Sequence, residues 1–157
     1  MPFEQINVKL FKLHGYWLTA DAVEEAMRAY LNTETPHEPD MPDELNQFGK
    51  IHSVFSVQKV LYALIYVVIE EYKASDFEDE KLDELLADEV KVQMLRRFRN
   101  AIFHVQNEVL SQKELDFLDA DYDGSWIKAV HKAFDKYFTE RLDLEKRIRA
   151  LKEAMGG

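Results

Sequence analysis

Between Glu44 and Tyr72 the chain carries apolar residues first along one side of a helix and then on nearly every side of it. Phe48, Ile51, Phe55, Val57, Leu61, Leu64 and Val68 form a core stripe, and Val60, Ile65, Val67 and Ile69 fill the remaining faces of the second half. A helix that is apolar all round sits at the centre of a bundle or across a subunit interface. The longest unbroken apolar run, Val60 to Ile69, is ten residues, roughly half of the ~20 that a membrane span requires. No membrane is therefore expected.

The remaining segments carry helical periodicity too. Ile6, Leu10, Leu13 and Trp17 follow 4-3-4 spacing and predict a short helix over 4–14 with Gly15 as its C-terminal stop, although the alternation Ile6, Val8, Leu10 leaves a strand open. Asp21-Ala22-Val23-Glu24 resembles a capping box opening a second helix to about Leu31. Asn32 to Asp43 holds Pro36, Pro39 and Pro42 and reads as an exposed loop. Asp76 to Glu89 carries eight acidic residues against the single Lys81, with Leu82, Leu85 and Leu86 marking a helical turn or two on a solvated face. A helix is expected from about Val90 to Leu110. A last one starts at a Ser125 N-cap with Trp126, Ile127, Val130, Phe134, Tyr137 and Phe138, and its charged tail bears one stripe of Leu144, Ile148, Leu151 and Met155.

Only five glycines and four prolines occur in 157 residues, which disfavours short-turn β architectures. The expectation is one all-α domain over residues 1–157, an up-and-down bundle of four main helices with a short additional N-terminal helix. The absence of cysteine removes disulfide scaffolds, thiol catalysis and thiolate metal sites. Met1-Pro2-Phe3-Glu4-Gln5 lacks the layout of a signal peptide, so a cytoplasmic location is expected. The formal net charge of −10 argues against nucleic-acid binding by bulk electrostatics. An RNA or nucleotide ligand would need a locally positive site.

Such a site exists in Met94-Leu95-Arg96-Arg97-Phe98-Arg99-Asn100-Ala101-Ile102-Phe103-His104. An always-charged guanidinium and an imidazole that titrates near neutral pH lie five positions apart, a pair able to hold a phosphate and move a proton. Projected on a helix, Leu95, Phe98, Ile102, Val105 and Val109 form the core stripe, while Arg96, Asn100, Phe103, His104 and Asn107 point away. Asn100 and His104, at i and i+4, become neighbours. Arg99 lies roughly 140° around the helix from His104. Phe103 and Asn107 then mark a contact face for a second copy, and a homodimer would bring two Arg-Asn-His sets together.

Arg99-Asn100-Ala101-Ile102-Phe103-His104 resembles the signature of the HEPN superfamily, in which an arginine, usually followed by a polar residue, precedes a histidine by four to six residues. The resemblance covers these six positions and the helical layout. It implies metal-independent RNA cleavage by a dimer with a composite cleft, in a toxin or phage-defence setting. Arg99, Asn100 and His104 would be the catalytic set: His104 as general acid or base, Arg99 stabilising the transition-state charge, and Asn100 orienting His104 or donating to the phosphate. Arg96 and Arg97 would attract the RNA backbone. Some members instead bind nucleotides or partners without cleaving anything. The alternative is thus a non-catalytic HEPN-like interaction module, with an antitoxin or another basic protein as partner to the acidic surface.

No cofactor or metal is expected. Asp119-Ala120-Asp121-Tyr122-Asp123-Gly124 copies the opening of an EF-hand loop, yet Val130 stands where a bidentate Glu is needed, so a polar turn is the better reading. His14, His37, His52 and His131 have no partner at the spacing of a helical zinc site. Glu70, Glu71 and Glu108 lack the paired E-x2-H pattern of di-iron bundles.

Overall fold

The computed structural model describes residues 3–34 and 38–143, with side chains from Val8 onward. The described residues form six helices and no strand, so the protein is all-α: α1 (Phe3–Leu31), α2 (Asp43–Ala74), α3 (Glu80–Leu86), α4 (Glu89–Phe103), α5 (Gln112–Ala120) and α6 (Ser125–Leu142). The described parts of the connection over 32–42 are non-helical, and Asp43, expected as the end of the loop, is the first residue of α2. Pro36, His37 and the tail stripe from Leu144 to Met155 lie outside the described residues.

The Leu61–Tyr72 half of α2 is at the centre, the first of the two places its composition allowed. Leu61, Tyr62, Ala63, Ile65, Tyr66, Val68, Ile69 and Tyr72 are all buried, packed against α1, α4 and α6. The first half differs: Leu45, Phe48 and Ile51 are exposed. By length and composition α2 is also long and apolar enough to cross a membrane, a property it shares with core helices that other helices cover.

α1 corrects the expected break at Gly15. The helix runs straight through it, burying Leu10, Leu13, Trp17 and Ala20 on one face. A helical glycine costs about 1 kcal/mol against alanine, whereas burying a side chain the size of Leu13 contributes about 1.5–3 kcal/mol. The core face wins, and Asp21 is a mid-helix residue rather than a cap.

Two aromatic groups tie the elements together. Tyr62, Phe98 and Phe117 join α2, α4 and α5, with ring centroids 5.5 to 6.1 Å apart. Tyr72 meets Phe134 and Tyr137 edge-on at 5.6 and 5.8 Å, joining α2 to α6. Such arrangements suit the ring quadrupoles.

The second correction concerns α4. It ends at Phe103 instead of continuing to Leu110, and His104 is its C-cap in extended backbone. Leu95 and Phe98 are buried as expected, but Val105 and Val109 are fully exposed. The chain leaves the helix to begin α5, for which the sequence reading had no counterpart. There Ser111 and Glu114 form a reciprocal capping box, and Glu114 is bound by Lys59 Nζ of α2 at 2.7 Å. Burial pushes the Glu114 carboxyl up, but Lys59 and the Ser111 amide and hydroxyl outweigh it and hold the group below its ordinary range.

Candidate functional site

Arg99 is fixed by α2. Its Nη2 donates to Glu70 Oε2 at 2.8 Å, and its guanidinium carbon lies 5.2 Å from the centre of the Tyr66 ring. The ion pair and the ring face hold one orientation of a side chain that otherwise has many. Nε of Arg99 is buried without a hydrogen-bond partner, so Glu70 satisfies only part of the five-donor fork. Burial, and then the Glu70 carboxylate, push the Tyr66 hydroxyl up from its ordinary range, while Arg96 and Arg99 act in the opposite direction. Arg96 and Arg99 therefore share one patch with Tyr66.

Asn100 is half-buried on the last turn of α4 and His104 is exposed beyond it. Their link is through the backbone: the His104 amide donates to the Asn100 carbonyl at 3.1 Å. The expected side-by-side pairing on one helical face depended on α4 continuing, and it does not. Among the described residues no side-chain hydrogen bond joins Arg99, Asn100 and His104 to one another. Arg97 pairs with Asp116 of α5 at 3.4 Å, which leaves Arg96 as the exposed cation next to the motif. Phe103 is 53% exposed. Asn107 is exposed as well, but in the loop after α4 rather than on the helix face first assigned to it.

The Asp119–Gly124 segment is a capping device. Asp121 is buried, and its two carboxylate oxygens accept from the amides of Trp126 and Ile127, each at 3.0 Å. Asp123 accepts from the Ser125 amide at 3.0 Å. The N-cap position is Gly124 rather than Ser125, in left-handed backbone at φ 67°. A Cβ there would also meet the Tyr62 hydroxyl at 3.3 Å, which selects glycine twice over. The polar-turn reading of this segment therefore stands, with the cap supplied from Asp121.

A second polar cluster was not anticipated. His131 of α6 is 8% exposed, and its Nε2 lies 2.9 Å from Glu24 Oε2 and 3.2 Å from Asp21 Oδ1. The ring stacks on Trp17 with centroids 5.2 Å apart, and Trp17 Nε1 donates to the His131 carbonyl at 3.3 Å. Arg28 donates from Nε to the other Glu24 oxygen, Oε1, at 3.1 Å. The cluster borders a cleft of about 450 Å³ lined by α1, α2 and α6, with Gln58, Tyr62, Lys128 and Lys132 on its walls. His131 looked isolated because its partners are more than a hundred positions away. The available signal was an acidic pair at i and i+3, which had been read as a helix start.

No protein-family model, curated protein or solved structure matches this chain.

Proposed function

We propose that this chain is a HEPN-like, metal-independent endoribonuclease that acts in the cytoplasm as a homodimer. Its four main helices, α1, α2, α4 and α6, would run up and down as in that superfamily. The observation that carries the reading is the division of labour at the end of α4. Arg99 is held against Tyr66 by Glu70, while His104 stands exposed outside the helix. A positioned guanidinium and a solvent-accessible imidazole five residues further on suit phosphodiester chemistry. Phe103, Val105 and Val109, exposed at and after the end of α4, supply apolar surface for a second copy.

In this mechanism one His104 removes the proton from a ribose 2′-hydroxyl, whose oxygen attacks the adjacent phosphorus. The P–O5′ bond breaks, the His104 of the second copy protonates the leaving oxygen, and a 2′,3′-cyclic phosphate remains. Arg99 neutralises the charge that builds on the non-bridging oxygens, Asn100 donates to the same phosphate, and Arg96 draws the backbone in. Mixed RNA incubated with the protein in EDTA should be cleaved, and His104→Ala should abolish the cleavage without altering the melting temperature. Absence of cleavage by the wild type, or equal cleavage by both proteins, overturns the proposal.

The Arg99–Glu70 pair also favours a second reading, a non-catalytic HEPN-like module in which the arginine is structural. Glu70→Gln separates the two: in the enzyme it removes the group that positions Arg99 and lowers the rate of RNA cleavage, whereas in the module there is no cleavage to lower and only the α2–α4 contact weakens.

A further inference from the structure

We propose that Asp21, Glu24 and His131 form a binding site for a divalent first-row transition-metal ion, with its open coordination positions facing the α1–α2–α6 cleft. One imidazole nitrogen and one oxygen from each carboxylate lie within 4.8 Å of one another. The separations from His131 Nε2 are 2.9 and 3.2 Å. Ligands at about 2.1 Å from a common ion are about 3.0 Å apart when placed at right angles and about 3.4 Å apart when tetrahedral. Both separations from the imidazole nitrogen fall close to these values. Oxygen donors alone would suit magnesium or calcium, but an imidazole with two carboxylates suits manganese through zinc.

The surroundings hold the donors in the way that metal ligands are held. Trp17 covers the imidazole face and ties down the His131 backbone, leaving Nε2 directed at the carboxylates. Arg28 occupies Glu24 Oε1, so Oε2 can bind a cation while its partner oxygen keeps a hydrogen bond. Groups that grip the far side of a ligand in this manner orient it and tune its basicity.

Charge points the same way. Two carboxylates face one imidazole edge, and Arg28 pairs directly with Glu24 while acting on Asp21 only at longer range. His131 Nδ1 is buried without a partner. An imidazolium and a metal-bound imidazole both carry a hydrogen at Nδ1, so that nitrogen costs the same in either state. The states differ at Nε2, where a single proton would be shared between two acceptors. A divalent ion there neutralises both carboxylates and reaches the cleft, whose volume of about 450 Å³ accommodates bound water. α4 contributes nothing to the cleft lining, so this site is independent of the RNA-cleavage reading.

The test uses chelator-treated full-length protein titrated with Zn²⁺ and Co²⁺, with Mg²⁺ as the comparison, by calorimetry and by the visible absorption of bound Co²⁺. One equivalent per chain should bind Zn²⁺ and Co²⁺ and raise the melting temperature, with no comparable Mg²⁺ effect. Glu24→Gln and Asp21→Asn should each weaken binding at least about tenfold, which corresponds to about 1.4 kcal/mol. Both substitutions keep the shape of a partly exposed side chain, and circular dichroism verifies folding. His131→Gln should remove the Co²⁺ spectrum. Failure to bind one equivalent overturns the proposal, as does binding that survives in both carboxylate variants. If the ion does not bind, the cluster is an ion-paired triad only.

Discussion

His104 is joined to Asn100 by a hydrogen bond from its own amide to the Asn100 carbonyl at 3.1 Å, and that bond closes the C-terminal end of α4. The two side chains therefore do not stack along a helix. Asn100 lies on the last turn and His104 on extended backbone, so the imidazole stands outside the helix. The composite-site reading rests on this placement instead of on helical periodicity.

Val105 reports on that helix end. Because it is fully exposed, Val105→Asp should change monomer stability by no more than about 0.5 kcal/mol. In a helix continuing to Leu110 the residue would sit in the core, and the same change would cost several times more. Urea denaturation at low protein concentration measures the difference. Sedimentation of the same variant should show weaker self-association if the exposed apolar residues form the dimer contact.

Gly15 gives a clean test of α1. It lies inside a continuous helix with open space where a Cβ would be. Gly15→Ala should stabilise the protein by about 0.5–1 kcal/mol, because it removes backbone freedom from the unfolded chain. A glycine serving as a left-handed helix stop would give the opposite sign. Thermal denaturation reads the direction.

Asp121 holds the first turn of α6 through two amides. Asp121→Ala should cost about 1–2 kcal/mol, since it leaves buried donors unpaired. Asp121→Asn, which keeps one acceptor oxygen, should cost less. Chemical denaturation midpoints rank the two, and a calcium titration should leave the wild-type midpoint unchanged.

Glu114 sets an acid limit on stability. Its carboxyl is held below the ordinary value of 4.5, so the folded state binds the proton less readily than the unfolded chain does. The contribution is complete above about pH 4.5 and is lost as pH falls through the lower, folded-state value. Urea midpoints at pH 7, 5 and 3.5 should drop mainly over the last interval. Glu114→Gln should flatten that drop while lowering stability at pH 7, because Lys59 is then left half-buried without its carboxylate.

The sequence carried the all-helical class, the central helix and the acidic α3 turn, because each depends on periodicity within a short window. It failed at Gly15 and at Phe103, where a local preference competed with distant packing. Burial of Leu13 and Trp17 carried α1 through a glycine, and the Lys59–Glu114 contact, spanning 55 positions, accompanied the early end of α4. The Arg99–Asn100–His104 motif was legible as a string, but its pairing with Glu70 and Tyr66 was not. Of the His131 cluster only the Asp21–Glu24 spacing was legible, because the imidazole meets these carboxylates only after α1 and α6 pack around Trp17.

The uneven burial of α2 has a consequence for how the molecule opens. Amides between Leu61 and Tyr72 sit under three neighbouring helices and should exchange with solvent deuterium only when the whole fold is lost. Those near Leu45, Phe48 and Ile51, on the exposed half, should exchange through local fraying at far lower free energy. A single unbroken helix would thus keep two clocks, one set by the solvent at its edge and the other by the survival of the entire protein.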